Sequence, residues 1–364
     1  MDKINILAMS QDPIYIGTGG FTIGRVDNTI VRDPITRIPK IPGTSLAGTW
    51  RYYMALTLYS YFNDKYKMDR SSRSGVDCDE LFIKAVKVKG KRWVTEVKGN
   101  KYAAIKCAGQ DEEPNSTLER SETSESGHCG HCIVCKVFGY SKNGNSERGM
   151  AYFSDLNILL FPVYTRFGTM WITSTDILRS AGVDKDIVKE IEPQEDKVTI
   201  FDENIKNKNI NIGWLNFKAD KEDIDICSEI CKNIKNDGDS NVQAPGLQDF
   251  ITNEKIIIVP DSIISQIINS NLETRTSVSI DPITGAAKDK ALFTSEAIPR
   301  GTVFYGNFRI EERPLSDEPK QEYVEKALSE SKKFFETLGI GGMTTRGFGR
   351  MKIFDWRGKD GSED

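Results

Sequence analysis

Residues 24–51 read GRVDNTIVRDPITRIPKIPGTSLAGTWR, and the glycines Gly17, Gly19, Gly20 and Gly24 lead into them. Asp33-Pro34 and the run from Pro39 to Gly43 are turn chemistry, because proline fixes φ and glycine frees it. Thr44 and Ser45 then offer an N-cap. Leu46, Trp50, Met54, Leu58 and Tyr61 recur at helical spacing, which predicts a helix over about 44–62. Arg25, Arg32, Arg37, Lys40 and Arg51 surround only Asp27 and Asp33, five cations against two anions, a local charge of +3. A carboxylate among cations and glycines suits contact with a phosphodiester, where it positions a metal-bound water or a ribose 2′-OH. The plainer alternative makes both aspartates turn residues or arginine partners.

Outward from this stretch, residues 4–17 read as an N-terminal strand bent at Pro13. Residues 64–106 hold 12 Lys plus Arg against 6 Asp plus Glu, a local +6, and 108–127 are polar enough to predict a mobile loop. Residues 150–174 predict two strands with a break around Pro162 to Gly168. Residues 184–240 carry 15 Asp plus Glu against 9 Lys plus Arg and read as a solvated insertion with one strand, INIGWLNF. Residues 274–310 predict a hairpin whose tip is Asp281 to Gly285. A helix at about 319–338 puts Tyr323, Ala327, Leu328, Phe334, Phe335 and Leu338 on one face, and GIGGMTTRGFGRMKIFDW follows it. Strand, helix, strands, helix and closing strand make an α+β, split βαβ, ferredoxin-like order with insertions.

The chain has 364 residues, 49 Lys plus Arg against 53 Asp plus Glu, and a net charge of −4. That excludes nucleic-acid binding by overall positive charge and leaves room for a local basic groove. No apolar run follows a basic patch at the N-terminus, and no stretch approaches the ~18 apolar residues of a membrane span, so a cytoplasmic protein with no membrane partner is expected.

Seven cysteines and two histidines remain. Cys129, Cys132 and Cys135 are each separated by two residues, and both His128 and His131 fall among them. This is a poor disulfide framework and a good metal pattern. A closed structural Zn²⁺ site wants a fourth ligand, for which Cys107, His128 and His131 are the candidates, Cys107 favoured and His128 the runner-up; three reduced thiols without metal are the alternative. Zinc here is structural, a knuckle over about 107–135 pinning the insertion at 64–149. With no histidine elsewhere, Ser-His-Asp and Cys-His mechanisms are nearly excluded.

Five glycines lie between Gly339 and Gly349. They let a backbone approach closely or take positive φ, and Thr344, Thr345, Arg346 and Arg350 add phosphate-binding groups. A tight turn is the alternative. No Gly-Lys-Ser/Thr follows, and the position after a C-terminal helix is wrong for a dinucleotide fingerprint.

Together these residues resemble a known family. Residues 24–51 look like the N-terminal signature of the RAMP (repeat-associated mysterious protein) superfamily, closest to the backbone subunits of type III CRISPR effector complexes. GGMTTRGFGRMKI looks like that family's C-terminal glycine-rich loop and strand. CxxCxxCKVFG, SDLNILLFPVYTRFGTMWITS and RTSVSIDPITGAAKDKALFTSEAIPRGTVFY fall between them in the family's order. The resemblance implies an RRM-like core in a single domain over 1–364, with long insertions, a zinc knuckle and a thumb-like hairpin within 274–310. It implies partners as well: CRISPR guide RNA, target single-stranded RNA, further copies of the chain and other type III subunits. The segments 42–51 and 341–349 are expected to hold the guide backbone, and the hairpin at 275–299 to wedge between guide and target. RNA contacts are expected from Arg25, Lys40, Ser45, Arg51, Arg275, Thr345, Arg346 and Arg350.

The family's target-cleaving aspartate falls at Asp27, not Asp33. The implied activity is that of an endoribonuclease working in the assembled complex, with Mg²⁺ or another divalent ion and attack by a 2′-OH. Asn28-Thr29 stands where a small residue and proline are common in the family, and the acidic insertion at 184–255 is larger. A non-catalytic binding subunit is the alternative, and a repeat-processing endonuclease of the same superfamily fits less well, since such enzymes often lean on histidine.

Overall fold

A computed structural model of the protein describes residues 3–19, 26–66, 94–97, 100–103, 107, 133–142, 145–206, 208–233, 247, 250–313, 319–354 and 356. Arg25, the 108–127 loop, His128, Cys129, His131 and Cys132 lie outside them.

The first elements are β1 (Lys3–Ser10), β2 (Lys40–Ile41), α1 (Gly43–Tyr66), β3 (Val94–Val97), β4 (Asn100–Ala103), α2 (Ile133–Phe138), β5 (Gly139–Lys142), β6 (Asn145–Arg148) and β7 (Ala151–Phe153). The middle of the chain supplies β8 (Leu156–Thr165), β9 (Gly168–Thr173), α3 (Thr175–Ala181), α4 (Lys185–Glu190), β10 (Lys197–Ile200), β11 (Asn209–Ile212), β12 (Leu215–Lys221) and α5 (Ile226–Asn233). There follow β13 (Ile256–Ile258), α6 (Asp261–Ser270), β14 (Glu273–Ile280), β15 (Ala287–Ala297), β16 (Val303–Ile310), α7 (Gln321–Ser331), α8 (Lys333–Thr337) and β17 (Met351–Ile353). The class is mixed α and β, dominated by one large sheet. No described helix is long and apolar enough to cross a membrane.

The chain divides into two units. One comprises residues 1–3, 44–153 and 308–334. Its core forms on the apolar stripe of α1, where Leu46, Trp50 and Met54 are each fully buried four residues apart. The Trp50 ring lies 5.5 Å from Phe153 and 6.2 Å from Phe308, centroid to centroid. Its indole N–H, which must find a partner once buried, donates to the Leu328 carbonyl at 3.1 Å and to Ser331 Oγ at 3.0 Å. Phe138 stacks on Phe153, with ring centroids 5.6 Å apart. The helix expected at 319–338 is two helices, α7 and α8, parted at Lys332.

The other unit comprises residues 4–43, 154–307 and 335–364. The sheet runs β11-β12-β10-β13-β9-β8-β16-β1-β17, with β2 added on β8. β1 and β17 are antiparallel, with Ala8 opposite Ile353, and β8 and β9 form a hairpin closed at Arg166-Phe167. Pro162 therefore lies inside β8, opposite Trp171, and the expected break from Pro162 to Gly168 narrows to a two-residue turn.

Two further expectations need correction. The described residues of 184–240 are not a solvated insertion with one strand: they give β10, β11 and β12 to the sheet, and Val198, Ile200, Ile210, Ile212, Ile226 and Ile230 are buried, as is Ile251 farther along the acidic insertion at 184–255. INIGWLNF is a hairpin turning at Gly213-Trp214, with Ile212 opposite Leu215. Asp220 is the one acidic residue on these three strands; the other acidic side chains of the described region lie on α4, α5 and the connecting segments. The hairpin expected over 274–310 is β14–β15 alone, with Glu273 opposite Ala297, whereas β16 turns away from it into the large sheet.

Candidate nucleic-acid interface

Residues 26–32 run as an irregular segment along the outer side of β15. Asp27 and Asn28 both donate their backbone N–H to the Thr294 carbonyl at 3.1 Å, and Glu296 donates its own to the Asn28 carbonyl at 3.0 Å. The Thr294 N–H returns a bond to Asp27 Oδ2 at 2.8 Å. One oxygen of the half-buried carboxylate is thus fixed by backbone, and Oδ1 takes no hydrogen bond from any described residue. Below it a clasp holds the segment in place. Glu296 Oε1 accepts Arg32 Nη2 at 2.6 Å, Glu296 Oε2 accepts the Ile30 N–H at 3.3 Å, and Arg32 Nε donates to Asn269 Oδ1 on α6 at 2.8 Å.

Asp33 has a different role. Its Oδ1 accepts the N–H groups of Ile35 and Thr36 at 3.0 Å each, and its Oδ2 accepts Lys40 Nζ at 3.1 Å. The Thr36 N–H first, then Lys40 and the Ile35 N–H, hold its pKa down to about 2 against the opposing effect of burial. It is a turn-forming carboxylate.

Lys40 also reaches Asp155 Oδ2 at 2.7 Å, and the bonds from Asp155 and then Asp33 raise its pKa. Asp155 caps the first N–H of α1, Gly43, at 2.7 Å, so the cap expected from Thr44 or Ser45 comes from 112 residues away. Burial pushes the Asp155 pKa up, yet the bonds from Lys40 and Gly43 prevail and leave it lowered. Of the other expected RNA contacts, Ser45 lies in the first turn of α1, and Arg51, farther along that helix, donates from Nε to the Cys107 carbonyl at 2.7 Å.

The glycine-rich loop packs on residues 13–15. Gly349 donates to the Pro13 carbonyl at 2.8 Å and Gly342 to the Tyr15 carbonyl at 3.0 Å. At Gly341 φ is +82°, and a Cβ would stand 2.3 Å from the Tyr15 carbonyl oxygen, so only glycine fits. Held this way, the single-turn helix Thr344–Arg346 leaves Thr345 and Arg346 exposed. Arg350 instead grips Asp12 with both nitrogens, at 2.5 and 2.9 Å, and this bond lowers the Asp12 pKa.

Arg275, near the base of β14, joins the loop to the hairpin. Its Nη1 donates to the Gly347 carbonyl at 3.2 Å, its Nε to Glu273 at 2.6 Å, and its guanidinium lies 4.7 Å from the Phe348 ring centroid. Arg275 is opposite Ser295, one step from Thr294, the residue that holds Asp27. The base of one hairpin therefore carries Asp27 on its β15 side and the exposed loop, through Arg275, on its β14 side. Farther out, Val278, Ile280, Ile283 and Leu292 are exposed.

Cys107 and Cys135 are buried. Among the described residues no three ligating side chains gather as a metal cluster, and Cys129 and Cys132 fall outside those residues. Sequence reasoning missed Asp155, Asp12, Arg32, Glu296, Asn269 and the Thr294 N–H as the groups that fix the segment and its neighbours. None carries a local sequence signal, since each acts on a residue distant in the chain.

Comparison with known proteins fits this geometry. The chain matches CRISPR system Cms endoribonuclease Csm3 of Enterococcus italicus, 48% identical over 55 residues, which is 15% of this chain and 24% of that protein. The fold matches the Type III-B Cmr-beta cryo-EM structure in its apo state with a TM-score of 0.55, at 14% identity over 99% of this chain and 98% of that one. Oligomeric Cmr4 from Pyrococcus furiosus gives a TM-score of 0.51, at 18% identity over 98% and 100% of the two chains. The RAMP superfamily profile spans residues 11–352, from Gln11 beside the glycine loop to Lys352 in the closing strand, and the chain belongs to that superfamily.

Proposed function

We propose that this chain is a guide-RNA-binding backbone subunit of a type III CRISPR effector complex, and that in the assembled complex it cuts guide-paired target RNA. The observation that carries the reading is the meeting of Asp27, Arg275 and the Gly347 carbonyl at the base of β14–β15. These are the three segments to which the family resemblance assigns cutting, wedging and guide holding. Exposed Arg346 and Thr345, with the uncovered backbone of the loop, suit phosphate oxygens. Lys40 and Arg350 are each neutralised by carboxylates within the chain, so they serve the groove by shaping it. Further copies of the chain and other type III subunits are the expected neighbours along the guide.

The core of the unit is read as RRM-like. In the sheet β17, β1, β16 and β8 stand as fourth, first, third and second strands of the split βαβ order, and in chain order α1 follows the first and α7–α8 the third.

For cutting, the target's 2′-OH attacks the adjacent phosphorus in line with the 5′-oxygen. The 2′-O–P bond forms and the P–O5′ bond breaks, leaving a 2′,3′-cyclic phosphate and a 5′-hydroxyl. Asp27 Oδ1 is the group left to orient or deprotonate the 2′-OH, while Thr294 holds Oδ2. Asp27 would help hold a divalent ion such as Mg²⁺, which would supply charge stabilisation for the phosphate. The test is a target carrying one 2′-deoxynucleotide at the cut site: that cut alone should stop, and continued cutting there would exclude the 2′-OH route.

We also propose structural zinc held by Cys107, Cys129, Cys132 and Cys135. It predicts about one zinc per chain, with Zn–S near ~2.3 Å. Protein prepared without chelator that held no zinc, and whose four thiols all reacted freely, would contradict it.

A further inference from the structure

We infer that the tips of two neighbouring hairpins, β8–β9 and β11–β12, form a stacking platform for unpaired RNA. This goes beyond the guide-and-target groove and takes from that reading only the choice of RNA over DNA. The Arg166 N–H donates to Asn211 Oδ1 at 2.8 Å, which ties one tip to the other. Each tip is braced within itself. Thr165 Oγ1 donates to the Gly168 carbonyl at 2.8 Å and accepts the Phe167 N–H at 3.1 Å, and Gly213 turns at φ +58° beside the Asn271 amide.

On this frame Trp214 is 95% exposed and Tyr164 75% exposed, while the Arg166 guanidinium lies 5.0 Å from the Phe167 ring centroid. The turn needs glycine at 213 and makes no demand for tryptophan at 214. Charge singles out the same place. Residues 164–169 and 208–218 contain Arg166, Lys208 and Lys218 and no Asp or Glu, although residues 184–240 around the second tip are acidic, with 15 against 9. Aromatic faces beside cations, without carboxylates, are the composition that stacks bases and neutralises the phosphates between them. A protein-binding patch would instead continue into broader apolar surface; here Leu215 beside Trp214 is 36% exposed, and the neighbours Asn209, Asn216 and Lys218 are polar and exposed.

The test uses the full chain with a short unpaired RNA containing 4-thiouridine, photo-crosslinked and mapped by peptide, together with the affinity of fluorescent oligouridylate. Crosslinks should fall in 164–167 and 211–217, in wild type and in the groove variant Arg346→Glu alike. Trp214→Ala and Arg166→Glu should each weaken oligouridylate about tenfold, and Trp214→Phe should restore most of the binding. Crosslinks confined to the glycine-rich loop, with Trp214→Ala binding as wild type, would overturn the platform. So would burial of Trp214 by a second copy or another subunit in the absence of RNA. If Arg346→Glu leaves guide binding unchanged while the tip crosslinks persist, the groove reading fails and the platform stands.

Discussion

The backbone N–H of Thr294 donates to Oδ2 of Asp27 at 2.8 Å, across 267 positions of sequence. Thr294 is part of the β14–β15 hairpin, so the orientation of the carboxylate is fixed by the hairpin. A carboxylate on a free loop would rotate; this one presents Oδ1 in a set direction. A charged group held in place before its substrate arrives loses less on reaching the transition state.

The Arg32–Glu296 clasp should matter for the same reason. The pair is largely buried, with side chains 23% and 12% exposed, and Glu296 also accepts the Ile30 N–H. Glu296→Ala should cost about 1–3 kcal/mol in urea denaturation, because it removes the acceptor of Arg32 Nη2 and of the Ile30 N–H. Glu296→Gln, which keeps an acceptor for Ile30, should cost less. Equal losses for the two variants would show that charge alone matters.

Guide binding should depend on salt through backbone contacts. Arg346→Glu and Arg275→Glu should weaken guides of any sequence about equally and flatten the dependence of affinity on salt. Filter binding at several salt concentrations checks this, and a loss restricted to some guide sequences would count against backbone contact.

Asp33 should act on stability. Its folded pKa, about 2, lies below the ordinary carboxylate value of roughly 3.9, so its contribution is present above the ordinary value and is lost as pH falls through about 2. Asp33→Ala should therefore be about 1–2 kcal/mol less stable than wild type at pH 7, and the gap should narrow below pH ~4. Chemical denaturation at pH 7 and pH 3 measures it; a gap independent of pH would mean that the carboxylate charge contributes nothing.

At Gly341, a methyl group meets the Tyr15 carbonyl at 2.3 Å on a backbone with φ +82°. Gly341→Ala should cost at least ~2 kcal/mol and weaken guide binding by displacing Arg346. Gly342, whose added Cβ meets only the Tyr15 ring at 3.0 Å, should tolerate alanine better.

What the sequence disclosed follows the range over which each signal acts. The stripe of Leu46, Trp50 and Met54 is a local period, and α1 could be read from it. The Asp33-Pro34 turn and the Asp281 tip were legible because an Asx turn is closed within three residues. By contrast, acidic composition in the flanking helices and turns hid the four-residue β10, and β11 and β12 read as one strand, because runs of four to seven residues offer few alternations. Gly213 within INIGWLNF was the turn signal that divides that run into two strands. The groups that fix the candidate site stayed out of view for a different reason. Asp155 meets Gly43 across 112 residues and Glu296 meets Arg32 across 264, and no pattern in one chain pairs such positions.

The central claim, that Asp27 acts on the scissile phosphodiester, is tested by target cleavage in an assembled complex carrying Asp27→Ala. Cutting should be abolished while guide and target binding persist, with RNA affinity unchanged or slightly raised because one negative charge leaves a basic groove. Cleavage by Asp27→Ala at the wild-type rate, in a complex of normal composition, would contradict it and leave the chain as a binding subunit alone.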